Sequence, residues 1–178
     1  MWKTLSSKII HKNKWYQIRH NKFETQDKIK GNYYILETRG SSMIIPVKGN
    51  KIILEKQYRY PINKWTIELP AGSVKKNFNY LKTAKAELEE ELGYKAGSLK
   101  MIGKFLPYNG ISSEVCKVFL AERLKYVGAK NEASELIKPI EVGIKRIYEM
   151  IDRGEIMDGM SIAALSLARK LLLGKKKI

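Results

Sequence analysis

Residues 84–94 read AKAELEEELGY and gather four glutamates, Glu87, Glu89, Glu90 and Glu91, into five positions. On an α-helix turning about 100° per residue, Glu87, Glu90 and Glu91 share a face, because they are spaced i, i+3, i+4. Glu89 points elsewhere, and Lys85 lies four residues before it. A solvated acidic face explains Glu89 but not the other three. One turn before them stand Thr83, Ala84, Ala86 and Glu87, so no lysine at helical spacing relieves their repulsion. Each like-charge pair costs about 0.2–0.5 kcal/mol. The acids also crowd the C-terminal end of the helix, where the macrodipole disfavours negative charge. A divalent cation resolves the conflict. Carboxylates at this spacing make a hard, oxygen-rich site suited to Mg²⁺ or Mn²⁺.

The helix that must carry them is predicted from about Asn79 to Leu92. Asn77 or Asn79 can cap it and Gly93 can end it. Leu81, Leu88 and Leu92 form its expected core face. Upstream, ELPAG (68–72) reads as a strand end followed by a tight turn, whose backbone carbonyls the turn can bring toward the helix. The first third is strand-like: WKTLSSKII, KWYQIRH, NYYILET, SMIIPV and KIILEKQYRY are rich in β-branched and aromatic residues, with a hairpin expected at KGNK (48–51). Strands are expected again at WTIEL, SLKMIGKFL, SEVCKVFLAERL and LIKPIEV, and helices over 143–153 and 159–173, the latter capped by Asp158. Strands first, then strands mixed with helices, imply an α+β fold or a layered α/β/α sandwich.

The chain has 178 residues, enough for one ordinary domain with a small extension. Its 34 basic and 18 acidic residues leave a net charge of +16. Such a field attracts polyanions: nucleic acid, an anionic membrane, or phosphorylated small molecules. Lysines scattered over a solvated surface account for the charge better than nucleic-acid binding does, since GKKKI at the C-terminus is the one dense basic cluster. No apolar run approaches membrane-spanning length. The start lacks the apolar centre of a signal peptide, so the reducing cytoplasm is the expected address. The one cysteine, Cys116, lies in the apolar run VCKVFLA and is expected to be a small buried hydrophobe.

With Gly72 opening it and Glu87, Leu88, Glu90, Glu91, Gly93 and Tyr94 closing it in register, the segment 72–94 resembles the box of the Nudix hydrolases. That box runs Gly, five residues, Glu, seven residues, then Arg-Glu-apolar-x-Glu-Glu-x-Gly-apolar. Two positions depart: Phe78 stands for the first Glu and Ala86 for the Arg, which normally pairs with a box carboxylate and holds its orientation. The flanks EKQYRYPINKWTIELPAG (55–72) and LPYNGISSEVCKVFLAERL (106–124), and the ending RGEIMDGMSIAALSLA, are similar to one branch, the ADP-ribose pyrophosphatases.

The resemblance implies a Nudix-type α/β/α sandwich with a mixed sheet over 41–178, and an N-terminal β extension over 1–40 that serves an intertwined homodimer. It implies metal-dependent hydrolysis of the pyrophosphate bond of a nucleoside diphosphate derivative, foremost ADP-ribose to AMP and ribose 5-phosphate. The alternatives are another nucleotide sugar or dinucleotide, or a catalytically weakened module that binds nucleotide or RNA. By the same likeness Glu87 and Glu91 are metal ligands, Glu90 shares or supports the cluster, and the carbonyl of Ala71 is a further ligand. Arg59 falls where an arginine meets the substrate's phosphates, and Glu68 supports substrate or metal. Glu135, in a late acidic loop, is the expected general base or water-orienting group, ahead of Glu132 and Glu114. Trp15 or Tyr34 are candidates to stack on adenine, with core packing the favoured reading for either. His11 and His20 are assigned no chemistry.

Overall fold

The structure, a computed structural model, describes residues 1–130 and 136–174. The chain forms two compact units, one of residues 1–40 with 106–115, the other of residues 41–105 with 116–178.

The first unit is a three-stranded antiparallel sheet of β1 (Lys3–Lys12), β2 (Gln17–Glu24) and β3 (Lys30–Glu37), in that order. Asn13 makes the first hairpin: its Oδ1 accepts from the backbone N–H of Trp15 and of Tyr16, both at 2.9 Å, an asparagine turn of the usual kind. The 106–115 segment is tied on by the Leu36 N–H donating to the Ile111 carbonyl at 2.8 Å. A single sheet has no second layer within its unit, so β1 is exposed along its whole length. For the same reason the expectation of core packing for the early aromatics fails: Trp15 is 69% exposed and Tyr34 57%. Tyr34 instead stacks on His20 at 4.7 Å, and His20 Nε2 lies 2.8 Å from Asn32 Oδ1.

The second unit is built on a mixed sheet of β4 (Ser41–Lys48), β5 (Lys51–Arg59), β6 (Lys64–Glu68), β7 (Ala71–Ser73), β8 (Tyr94–Phe105), β9 (Cys116–Tyr126) and β10 (Ile137–Gly143). The order β10-β5-β4-β9-β8 is antiparallel except for the parallel β4–β9 pair. Three helices complete it: α1 (Tyr80–Leu92), α2 (Ile144–Asp152) and α3 (Gly159–Leu173). Alternation along the strands separates two cores. On one face Ile44, Ile53, Phe119 and Ala121 pack under Ala84, Leu88 and Leu92 of α1. On the other, Met43, Ile45, Ile52, Leu54, Val118 and the fully buried Cys116 pack under Ile147, Leu165, Ala168 and neighbours of α2 and α3. This is the α/β/α sandwich expected, with its small β extension.

Where the strands part decides where chemistry can sit. β4 and β5 pair only at their hairpin end, Val47–Lys48 with Lys51–Ile52. Beyond it they diverge. β6 fills in against β5, pairing Glu68 with Glu55 and Lys64 with Arg59, while β7 fills in against β4, pairing Ala71 with Met43. The ELPAG segment thus crosses from one strand to the other. Its crossing point is pinned by the Ile44 N–H donating to the Pro70 carbonyl at 2.9 Å and the Leu69 N–H donating to Ser161 Oγ at 2.8 Å. Ser161 is itself placed by the Asp158 cap, whose Oδ2 accepts its N–H at 2.7 Å. The tight turn expected within ELPAG (68–72) is therefore a crossing that leads into a short strand, β7.

Candidate functional site

α1 begins where the sequence places it. Asn79 adopts an extended conformation and its Oδ1 accepts the Lys82 N–H at 2.8 Å. It ends at Gly93, whose φ of +73° is left-handed, a conformation that costs side chains other than glycine. A Cβ there would also lie 2.5 Å from the Ala129 backbone nitrogen. The helix's last carbonyls are taken up by the loop beyond β9: the Lys130 N–H donates to the Glu90 carbonyl at 2.9 Å, and Val127 to Gly93 at 2.7 Å. The acid-rich end of the helix is thus anchored against the dipole that opposes it.

Of the expected core face of α1, Leu88 and Leu92 are buried but Leu81 is not. Leu81 is 41% exposed, and the buried set is Thr83, Ala84, Glu87, Leu88, Glu91 and Leu92. Helical spacing admits either Leu81 or Ala84 beside Leu88 and Leu92; the small Ala84 is the one packed with Ile44, Ile53 and Phe119 of the sheet. As a result Glu87 and Glu91 are carried inward, to 8% and 5% exposure, while Glu90 stays half-buried. Glu89 is paired, but with Lys95 of β8 at 3.5 Å rather than with Lys85.

The ELPAG crossing meets these acids directly. Gly72 lies so close to Glu87 that a Cβ on it would stand 2.2 Å from the Glu87 Cδ and Oε1. The absence of a side chain at residue 72 is what makes room for the carboxylate. Ala71, next to it, sits on β7 beside Met43, so the Ala71 backbone and the Glu87 side chain belong to one small region.

A cation already stands against two of the acids. Lys75, in the loop between β7 and α1, puts its Nζ 3.0 Å from Glu90 Oε2 and 3.8 Å from Glu87 Oε1. The charge relief absent at helical spacing comes from outside the helix. Among the described residues no three acidic, histidine or cysteine side chains converge on one point. The donor chemistry nonetheless fits a divalent ion: carboxylate oxygens, a glycine that clears space at Glu87, and an ammonium group against two of the carboxylates as a stand-in.

Arg59 and Glu68, expected to meet substrate, meet each other. Arg59 Nε donates to Glu68 Oε1 at 2.9 Å and Nη2 to Oε2 at 2.5 Å, a parallel fork. The Thr66 hydroxyl also donates to Glu68 Oε1. Burial pushes the Glu68 carboxyl up, but the bonds from Arg59 and Thr66 and the Arg59 charge outweigh it and hold the group below the usual carboxylate range. The same bond, first, and the nearby negative charges raise Arg59. Nη1 takes no part in the fork and the Arg59 side chain is 44% exposed, which leaves donors for an incoming anion. Glu55 and Gln57 share this face of the sheet, both buried; the Gln57 Oε1 and the Thr83 hydroxyl have no hydrogen-bond partner among the described residues.

Glu135, with Glu132, lies outside the described residues. Glu114 belongs to the first unit, its N–H donating to Ser112 Oγ at 3.1 Å. Sequence reasoning missed Lys75, which sits in an ordinary-looking KK pair, and Thr66; a β-strand threonine two residues from Glu68 was the available signal, since such residues face the same way.

Comparison with known proteins places the chain in a family. Residues 38–150 match the family model described as NUDIX domain, and residues 2–36 the model described as nucleoside diphosphate sugar hydrolase N-terminal domain. The chain is 33% identical over 134 residues to the ADP-ribose pyrophosphatase of Bacillus subtilis (strain 168), covering 74% of this chain and 72% of that one. It is 28% identical over 173 residues to the ADP-ribose pyrophosphatase of Mycobacterium tuberculosis (strain ATCC 25618 / H37Rv), covering 92% and 81%. A crystal structure of an ADP compounds hydrolase superposes with a TM-score of 0.87 at 16% identity, over 99% of this chain and 97% of that one, and so shares the fold. The splayed strands, the glycine under Glu87 and the matched NUDIX domain together make this chain a member of the Nudix hydrolase superfamily, a pyrophosphohydrolase of nucleoside diphosphate derivatives.

Proposed function

We propose that this pyrophosphohydrolase acts on ADP-ribose, releasing AMP and ribose 5-phosphate, with Mg²⁺ or Mn²⁺ held by Glu87, Glu91, Glu90 and the Ala71 carbonyl. The observation that carries the reading is the cation lodged between Glu87 and Glu90, beside a glycine backbone that leaves their carboxylates room. A divalent ion at this site would neutralise phosphate oxygens and acidify a bound water. Arg59 offers its remaining guanidinium donors to the diphosphate, and Glu68 holds that guanidinium flat and pointed. Glu90, the most exposed of the three helix acids, supports the ligands and orients water. Glu135 is the candidate base from the late loop. The pyrophosphatases named above support the choice of ADP-ribose; the ADP compounds hydrolase NudE of Escherichia coli (strain K12), 19% identical over 140 residues, marks the broader class of ADP derivatives to be compared.

The exposed sheet of the first unit, which matches a nucleoside diphosphate sugar hydrolase N-terminal domain, supports a role in forming a homodimer. Trp2, Leu5, Ile9 and Ile10 are exposed on or beside β1, and such apolar area favours association. No helix among the described residues is long and apolar enough to cross a membrane.

The test is a substrate panel with Mg²⁺, following AMP release from ADP-ribose, a dinucleotide and a sugar nucleotide. Preferential release from ADP-ribose supports the reading. Equal or better turnover of another member moves the substrate. No turnover of any, together with salt-dependent RNA binding, would leave a silent binding module. Sedimentation velocity decides the dimer.

A further inference from the structure

The box arginine that would hold a carboxylate is replaced here by Ala86, yet the carboxylates are not left to repel each other. Lys75 reaches them from the preceding loop, 3.0 Å from Glu90 and 3.8 Å from Glu87. The two cations differ in how they are mounted. An arginine at residue 86 would be borne by the helix itself and bind through a rigid fork. Lys75 comes from a loop, is 49% exposed at its side chain, and offers one point charge on a flexible four-carbon stem. A hydrogen bond to Glu90 and the charge of Glu87 draw it to the site, and about half of its side chain is open to solvent.

We propose that Lys75 is an exchangeable internal counter-ion of the carboxylate site: it occupies Glu87 and Glu90 when no metal is bound and is expelled by the divalent cation. This rests on the metal reading given above and adds to it. The physical ground is competition. An ammonium and a dication drawn to the same two carboxylates compete, because each uses oxygen charge the other needs and the two cations repel. Metal binding therefore works against both lysine contacts, and the apparent metal affinity of this chain is lowered by what those contacts are worth. Exposed pairs are individually weak, so the effect is modest and the exchange is easy. Displaced, the Lys75 side chain remains tethered beside the acids, where its charge can meet a polyanionic substrate instead.

The experiment is a Mn²⁺ titration of the full chain, reading free Mn²⁺ by electron paramagnetic resonance, without substrate. Wild type is compared with Lys75→Met, Lys75→Gln and Lys75→Arg. Removing the charge should tighten Mn²⁺ binding about three- to tenfold in both Lys75→Met and Lys75→Gln. Lys75→Arg, which keeps the charge and gains a fork, should bind Mn²⁺ no more tightly than wild type. Unchanged or weaker binding in both neutral variants overturns the proposal, as does Lys75→Arg binding as tightly as they do. Agreement between the methionine and glutamine variants guards against an effect of packing. If wild type binds no Mn²⁺, the metal reading itself falls and this inference with it; if wild type binds and the variants do not differ, only the role of Lys75 falls.

Discussion

Two carboxylate–cation pairs of the second unit, Glu68 with Arg59 and Glu90 with Lys75, are built to opposite specifications. Glu68 is 5% exposed, receives both arms of Arg59 and a hydroxyl from Thr66, and sits on a strand whose crossing point is pinned by Ser161. Glu90 is half-buried and meets Lys75 at a single point from a loop. The first pair is oriented at several points and its geometry is over-determined. The second joins a flexible lysine to Glu90 through a hydrogen bond of its ammonium group. Rigid mounting suits a group that must present a fixed face to a phosphate; loose mounting suits a group that must yield to another ion. A polar pair's worth to function depends on how many independent constraints hold it, more than on its distance.

The largest effect that would test this contrast is expected at the metal side. Glu91→Gln should lower kcat by at least about a hundredfold while circular dichroism and melting stay near wild type; equal turnover of ADP-ribose would remove Glu91 from the ligand set. Gly72→Ala comes next. Its Cβ would collide with the flexible end of Glu87 rather than with backbone, so the carboxylate should move and the fold survive. A loss of about ten- to a hundredfold in kcat/KM is expected, and a drop in melting temperature without loss of activity would reverse that assignment.

Smaller effects are expected at the strand pair. Arg59→Lys keeps the charge but loses the fork and should raise KM about tenfold with little change in kcat; a pure kcat loss would place Arg59 at the transition state instead. The pair also predicts a pH signature. Because the folded Glu68 carboxyl titrates below its ordinary range, its stabilisation is fully present above the unfolded pKa of about 4.3 and is lost as pH falls through the lower folded value. The melting-temperature gap between wild type and Glu68→Gln, measured without metal, should therefore be constant near neutrality and close below about pH 4. A gap that does not change across that range would show that the ion pair contributes nothing. Ala86→Arg is the smallest change: activity equal to or above wild type is expected, and a marked fall would show that Lys75 and a helix-borne arginine cannot coexist.

Much of this was legible in the residues. Asn79 and Gly93 bound α1 because capping and left-handed geometry are local properties that few residues satisfy. The alternating strands, and the burial of Cys116, followed from period and apolarity. Leu88 and Leu92 of α1 followed in the same way, but the choice between Leu81 and Ala84 did not, since both are consistent with a helical stripe until a sheet is placed beneath one of them. The exposure of Trp15 and Tyr34 was illegible for a related reason: an aromatic strand reads as core unless one knows that its sheet has no second layer.

What the chain determines by itself is the set of local commitments: where helices start and stop, which residues are acids at i, i+3 and i+4, and that such acids are costly unless a cation joins them. Tertiary structure alone decides which cation does so, and from where. Lys75 reaches its partners from the loop into α1, Gly72 meets Glu87 from β7, and Arg59 meets Glu68 between the paired β5 and β6, and contacts between separate segments leave no periodic trace in either one.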